Sequence, residues 1–233
     1  MNLSHVERYF SDVLSAMESK EPISLDYDRN DCGKNKITID DNLFIIGTVN
    51  VDETTYAFSP KVLDRANVIE FGSMSIDNYF ESFSSYNPKG NIEYLENCLD
   101  GIEVRFMDAK SIIIELEKVD QDMVNKIKTD LEFFRHEMET INQSFGFRTV
   151  DEIMRFMYVA CKYMGWKKFD WKRFFDAQIK QKLLPKIHGN ASVRNCLKNI
   201  CVKCEENGYL QSKNKIDHMI STLENNRYVT FNS

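Results

Sequence analysis

The feature that most constrains the fold is the regular spacing of apolar residues in the second half of the chain. From residue 120 onward, large apolar side chains return every three or four positions, which is the period of an α-helix with one buried face. The first long stripe comprises Met123, Ile127, Leu131, Phe134, Met138 and Ile141. Further stripes follow Thr149, Trp171, Ser192 and Ser212. The pattern predicts an all-helical lobe over residues 119–233.

Capping residues predict where these helices begin and end. Thr149 and Glu152 have the spacing of a capping box, in which each side chain satisfies a free amide at the helix start. Ser192 and Ser212 precede two later helices, and Gly208 is placed to end the first of them.

The first half of the chain has a different pattern and predicts part of an α/β sheet. A helix is expected over residues 4–18, with Ser4 and Glu7 as its capping box, followed by a hairpin between Pro22 and Asp40. Residues 43–49 (LFIIGTV) and 68–71 are short apolar runs typical of parallel strands that are buried on both faces. Residues 1–118 are therefore predicted to be an α/β core. Within them, residues 72–118 are hard to interpret; an insertion is one interpretation, and Ile112–Leu116 is a candidate strand.

Charge and cysteine content limit the class of protein. The formal net charge of −6 gives no general attraction to nucleic acid. A run of cations between residues 167 and 186 is the exception, and we interpret it as a solvated helix face. No apolar run approaches the ~20 residues that span a bilayer, and the N-terminus lacks the features of a signal peptide. With six cysteines expected to be free thiols, the sequence predicts a cytoplasmic protein with no membrane partner.

Three cysteines raise the question of a metal site. Cys196, Cys201 and Cys204 stand near His188 and His218 in the sequence. However, the cysteines fall on the apolar face of a predicted helix, there is one Cys-x-x-Cys pair rather than two, and no histidine stands at finger spacing. A buried free cysteine behaves as a small apolar residue. We therefore do not predict a metal site.

Two stretches in the first half carry a family resemblance. The run IIGTVN ends at Asn50, and SPKVLDRANVIEF contains Arg65. Together they resemble the sensor-1 strand and arginine-finger segment of McrB-type AAA+ proteins, in the dynein-related branch. The start, Met1-Asn2-Leu3, resembles the motif that follows the Walker B strand in that family. The later stretches FGFRTVDEI, IKQKLLPKIHG and RYVTF resemble its lid and tail, so the likeness covers most of the chain except residues 72–118.

The resemblance implies roles for individual residues. Asn50 would orient the attacking water, and Arg65 would act in trans on the γ-phosphate bound by a neighbouring subunit. Asn2, Arg148 and Arg194 are the implied nucleotide-binding residues, with Arg148 as sensor 2 and Arg194 as its alternative. The nucleotide would be ATP or GTP with Mg²⁺. The implied partners are AAA+ subunits in a ring, a McrC-like nuclease and, indirectly, DNA.

Missing motifs limit what this chain can do alone. The sequence has neither the G-x-x-x-x-G-K-[ST] phosphate loop nor an apolar strand ending in an acidic pair. The main hypothesis is a truncated or split McrB-like subunit of a restriction or defence system, which binds no nucleotide tightly and hydrolyses none alone. One alternative is a non-catalytic scaffold that regulates a full-length AAA+ relative. Another is a helical DNA-binding protein that uses the cations of residues 167–186.

Overall fold

The computed structural model describes residues 5–24, 36–40, 43–49, 58–70 and 107–232. The chain divides into two compact units, one formed by Met1–Ala66 with Asn232–Ser233 and the other by Asn67–Phe231. The domain boundary predicted near residue 118 stays a prediction, because much of the chain before it lies outside the described ranges.

The first unit contains short elements. Helices α1 (Val6–Tyr9) and α2 (Ser11–Ser19) are followed by strands β1 (Ile23–Ser24) and β2 (Lys36–Ile37) and by helix α3 (Pro60–Leu63). The predicted single helix over 4–18 is thus two helices, interrupted at Phe10. β1 and β2 pair antiparallel, Ile23 opposite Ile37, which confirms the predicted hairpin over two residue pairs. Pro60 stands at the first position of α3, where its missing N–H costs nothing.

The predicted parallel sheet is wrong. The described residues are mainly α-helical, and their one sheet is the two-stranded β1–β2 ladder. Residues 43–49 form no strand, and neither do residues 67–70. An apolar run becomes a strand buried on both faces only where neighbouring strands pair with it. Among the described residues, no strand pairs with residues 43–49.

The second unit begins with two helices joined by one residue. Helix α4 (Ala109–Val119) is capped by Asp108, whose carboxylate accepts from the Ser111 N–H at 2.8 Å. Helix α5 (Gln121–Glu139) is capped in the same way by Asp120. The long helix predicted from the first stripe is confirmed, while the candidate strand at Ile112–Leu116 is wrong because these residues lie inside α4.

The later helices follow the predicted order but not the predicted caps. They are α6 (Phe147–Met164), α7 (Trp171–Gln178), α8 (Arg194–Asn207) and α9 (Leu210–Asn226). Thr149 lies buried inside the first turn of α6, so the predicted capping box does not form. Gly208 ends α8 with φ 78°, as predicted, since glycine adopts this left-handed conformation without a steric penalty.

Tighter and wider turns complete the unit. 3₁₀ turns cover Trp166–Lys168, Leu184–Lys186 and Ala191–Val193, the last with the Asn190 side chain accepting from the Ser192 N–H at 3.1 Å. Directly after α7, a π-helical turn covers Ile179–Leu183. Beyond α9, Val229 and Gly189 exchange two backbone hydrogen bonds of 2.9 Å, which hold the C-terminal tail against the unit.

One apolar core joins all the helices of the second unit. Its fully enclosed members come from every helix from α4 to α9 and include Ile112, Ile127, Met157, Phe175, Leu197 and Ile216. Tail residues Val229 and Phe231 are buried in the same core. Among the described helices, none combines the length and the apolar character needed to cross a lipid bilayer.

Two buried carboxylates tie the last helix to its neighbours. Asp176 of α7 accepts from the backbone N–H groups of Gln211 and Ser212 at 2.8 and 2.9 Å, so it caps α9 from another helix. Asp130 of α5 is fully enclosed and accepts from the Tyr209 hydroxyl at 2.6 Å. Burial and the nearby Asp130 charge raise the pKa of Tyr209, which keeps the hydroxyl protonated as a donor.

Removing that hydroxyl should weaken the second unit. Tyr209→Phe leaves the enclosed Asp130 carboxylate with one donor fewer, and we expect a loss of about 1–3 kcal/mol in the free energy of unfolding. Urea titration followed by circular dichroism measures it. Tyr228→Phe, which removes an exposed hydroxyl, is the matched control and should change little. Equal stabilities for the two variants would contradict a structural role for the Tyr209–Asp130 bond.

Candidate functional site

Arg65, the proposed arginine finger, is engaged within its own unit. Its guanidinium forms an ion pair with Glu18 of α2 and donates to the Lys61 carbonyl at 2.7 Å. The Arg65 side chain is 19% exposed and that of Glu18 is 46% exposed. A partly exposed ion pair is weak, so Arg65 is held in place by an interaction that a partner could replace.

Arg148 and Arg194 lie at the starts of different helices. Arg148 is exposed in the first turn of α6, next to Phe147, which is 94% exposed. Arg194 opens α8 and forms an ion pair with Glu224 of α9. Both are near helix N-termini, as the sensor hypothesis requires.

The described residues include three of the five residues of the implied nucleotide site. Asn2 and Asn50 lie outside the described ranges, Arg65 belongs to the first unit, and Arg148 and Arg194 belong to the second. The sequence also lacks the phosphate loop that would hold the β- and γ-phosphates. The roles of these five residues in binding ATP or GTP with Mg²⁺ therefore stay predictions.

The cysteines of α8 line its packed face. Cys196 and Cys204 are buried in the core, and the partly exposed Cys201 thiol contacts the Asp217 carboxylate at 3.2 Å. Burial raises the pKa of Cys196 to about 12, with a contribution from Glu137. Burial, followed by the bond to Asp217, raises that of Cys201 to about 11. At neutral pH these thiols are protonated, whereas metal ligation and nucleophilic attack need the thiolate.

A cluster of embedded lysines is the most unusual chemical feature of the second unit. The sequence predicted one solvated basic face for the cations of residues 167–186. The structure confirms exposure for four of them and contradicts it for Lys182 and Lys186, which are buried. Lys182 stands in the π-helical turn with a side chain 1% exposed, and its ammonium group pairs with Glu152 of α6. A buried ammonium group requires such a partner, because its desolvation alone costs several kcal/mol.

Glu70 pairs with the two other lysines of the cluster, Lys180 and Lys215. Its carboxylate bonds to Lys180 of the π-helical turn at 3.1 Å and to Lys215 of α9. The Lys215 ammonium also lies 4.6 Å from the centre of the Phe231 ring, a cation–π contact. Nearby, the Val68 N–H donates to the Gln181 carbonyl at 3.3 Å. Residues 67–70 are thus fastened to the π-helical turn by one backbone bond and one ion pair, and to α9 by a second ion pair.

The lysine cluster positions chain segments rather than offering reactive groups. The ammonium groups of Lys180, Lys182 and Lys215 each donate to a carboxylate, so none is presented as a free nucleophile. π-helical turns often occur at functional sites. Directly before this turn, the buried Gln178 side chain has an Oε1 with no hydrogen-bond partner among the described residues. We regard the cluster as a clamp on residues 67–70.

The spacing of the buried lysines in the sequence matches that of core residues. Lys182 and Lys186 stand three and seven positions after Ile179, on the same helical face as Leu183 and Leu184. Cations spaced like core residues predict buried, paired charges. The partner of Lys182, Glu152, could not be inferred, because it stands 30 residues away along the chain.

The family assignment of the chain comes from the sequence of the second unit. A family model described as "Domain of unknown function (DUF8727)" matches residues 96–228. The chain belongs to this family. The matched range includes α4 to α9, the π-helical turn and the lysines of the cluster, while Glu70 precedes it. No curated protein and no solved structure matches the chain. The DUF8727 match leaves the McrB-type resemblance a prediction.

Acid should release the clamp. Burial raises the pKa of Glu70, but its hydrogen bonds and charge interactions with Lys215 and Lys180 outweigh this and hold that pKa below the ordinary 4.5. A lowered carboxyl pKa contributes stability above pH 4.5 that is lost as pH falls through the folded-state value. We expect wild type to exceed Glu70→Gln by about 1 kcal/mol in the free energy of unfolding at neutral pH. The difference should shrink as the pH falls below 4.5 and through the lowered pKa of Glu70.

Urea titrations across this pH range measure that difference. Glu206→Gln, at an exposed position of α8, is the matched control for removing one carboxylate. A difference between wild type and Glu70→Gln that does not change with pH would show that the carboxylate charge is not what holds residues 67–70.

Proposed function

We propose that this chain is a non-hydrolysing subunit that works by binding an AAA+ subunit of the McrB type. The observation that carries the proposal is the exposed apolar run at residues 43–49. Here Leu43, Phe44, Ile45 and Ile46 are exposed by 51%, 60%, 41% and 92% of their surfaces. No charged residue interrupts the run.

Such a run is costly to leave in water. Fully burying one large aliphatic or aromatic side chain is worth about 1.5–3 kcal/mol. Contiguous exposed apolar residues on a protein surface mark contact sites for other proteins. Burial of these four adjacent side chains would therefore favour association with a partner that offers an apolar surface.

The sequence resemblance suggests what the partner is. IIGTVN resembles a segment that, in McrB-type proteins, lies in the core of an AAA+ subunit. A polypeptide carrying the phosphate loop and acidic strand absent from this chain would offer the matching apolar surface. ATP or GTP with Mg²⁺ would then be bound by that partner, and this chain would hydrolyse none alone. A McrC-like nuclease and DNA would be reached through the assembly rather than by direct contact with this run.

Two forms of this proposal differ in the role of Arg65. In the first, binding replaces the Arg65–Glu18 ion pair, and the guanidinium reaches a phosphate in the partner. In the second, Arg65 keeps its ion pair and the chain is a scaffold that regulates its partner. The partly exposed ion pair is compatible with both forms, so they are separated by experiment.

We also place this activity in the cytoplasm. Cys161, Cys196, Cys201 and Cys204 are unbonded to one another in the structure, a state that reducing compartments maintain.

Charging the apolar run should abolish association. Ile46→Asp places a carboxylate at its most exposed position, and we expect at least a roughly tenfold loss of affinity, since about 1.4 kcal/mol corresponds to a factor of ten. The measurement is sedimentation of the purified chain mixed with a McrB-type AAA+ subunit from the same organism. The control is Ile69→Asp, which changes an isoleucine 66% exposed outside the run. Association that survives Ile46→Asp, or no association for the wild type, would overturn the proposal.

The role of Arg65 is tested by two variants that break the same ion pair. Arg65→Ala removes the guanidinium, whereas Glu18→Gln releases it. If Arg65 acts in trans, Arg65→Ala lowers the rate of hydrolysis in the mixed assembly by about 10³-fold or more. Glu18→Gln then maintains or raises that rate. If the chain is a scaffold, neither variant changes the rate. Thermal unfolding of both variants controls for the lost ion pair, which affects them equally.

A further inference from the structure

Five exposed cations form a basic patch on the second unit. The patch comprises the end of α6, the 3₁₀ turn after it and the start of α7, with the cations Lys162, Lys167, Lys168, Lys172 and Arg173. Within the part of the chain that the structure describes, none of the five forms an ion pair. They differ in this from Lys180, Lys182 and Lys215, whose ammonium groups are each bonded to a carboxylate.

The charge of the basic patch is opposite in sign to the net charge of the protein. The chain carries a net charge of −6, yet residues 162–173 hold five cations and one carboxylate. That carboxylate, Asp170, is the N-cap of α7 and accepts from the Arg173 N–H at 3.4 Å. A local concentration of positive charge on an acidic protein attracts a polyanion to one place on its surface.

The position of two of these cations is unfavourable for the helix itself. Lys172 and Arg173 lie in the first turn of α7, where the helix dipole already provides partial positive charge. Acidic residues normally occupy such turns, and the first turn of α7 has none. Where a local rule is broken at a cost in stability, the compensation is commonly functional. Asp170 at the N-cap offsets part of this positive charge, and a bound anion would offset more of it.

The backbone that carries the patch is fixed by aromatic packing. Phe169 stacks on Phe174 with ring centres 5.4 Å apart, and Phe174 also contacts Phe156 of α6 at 6.2 Å. The Lys172 ammonium lies 5.9 Å from the centre of the Trp171 ring. Because packing already orders the turn, ligand binding there would cost the protein little conformational entropy.

We propose that the basic patch binds single-stranded nucleic acid through its phosphodiester backbone. Lysine and arginine side chains along a groove or turn neutralise phosphates, and neighbouring aromatic rings stack on bases. Tyr163 is 41% exposed beside the cations, and Trp171 is partly exposed among them. A membrane surface fits less well, because Phe169 and Phe174 pack against the core instead of projecting as apolar anchors. This proposal is independent of the apolar run at residues 43–49.

The test is binding of the full chain to fluorescein-labelled oligothymidylate by anisotropy at several salt concentrations. In the variant Lys167→Gln/Lys168→Gln/Lys172→Gln, affinity should fall at least about tenfold. The slope of log affinity against log salt should become shallower by about 2, since each phosphate contact to a single strand contributes about 0.7. The same three positions changed to arginine should retain binding.

A matched control separates the patch from net charge. Lys110→Gln/Lys128→Gln/Lys198→Gln removes three exposed lysines elsewhere on the second unit and alters the net charge by the same amount. It should bind oligothymidylate like the wild type. Equal losses in the two triple variants, no binding by the wild type, or binding only to vesicles containing anionic lipid would each overturn the proposal. Circular dichroism establishes that the variants are folded.

Discussion

The helical unit depends on carboxylates enclosed between its helices. Asp176 accepts from two backbone N–H groups at the start of α9, and Asp130 accepts from the Tyr209 hydroxyl in the residue before that helix. Asp130 also bonds to Lys126 at 2.9 Å and to Lys203 at 3.1 Å. A buried charge left without partners would cost several kcal/mol, so these bonds fix how α5, α7, α8 and α9 approach one another. The apolar core alone is less directional.

The same physical constraint divides the basic segment into two parts. Lys180 and Lys182 follow α7 into the π-helical turn and are drawn into the unit, where Glu70 and Glu152 neutralise them. Lys167, Lys168 and Lys172 precede or open α7 and remain in solvent. One run of similar residues therefore provides a clamp on residues 67–70 and an exposed basic patch. Burial and pairing, rather than residue type, separate the two parts.

In the first unit, the side chains in an unfavourable environment are apolar ones exposed to solvent. Residues 43–49 have the composition of a core strand but lie exposed in the described structure. Arg65 forms an ion pair with Glu18 that a partner could replace. Both features support the proposal that this unit associates with a partner. The two surfaces proposed for binding, the apolar run and the basic patch, belong to different units and have different chemistry.

What the sequence determined by itself is the order of the helices and much of their extent. Periodicity from residue 120 onward predicted α5, α6, α7, α8 and α9, because an amphipathic helix carries its period in local spacing. Gly208 marked the end of α8 for an equally local reason. The predicted caps at Thr149, Ser192 and Ser212 failed because the helix start is set by whichever group satisfies the free amides, and for α9 that group is Asp176, from another helix.

Tertiary structure decided the remaining features. The expected parallel sheet needed strands and covering helices, which no local run of residues supplies by itself, and the structure leaves residues 43–49 outside any strand. The partners of Lys182 and Lys215 stand 30 and 145 residues away along the chain. Local spacing predicted which side chains share a helix face. Only the folded chain determined which carboxylates those lysines meet, because ion pairing between distant segments depends on how the helices pack.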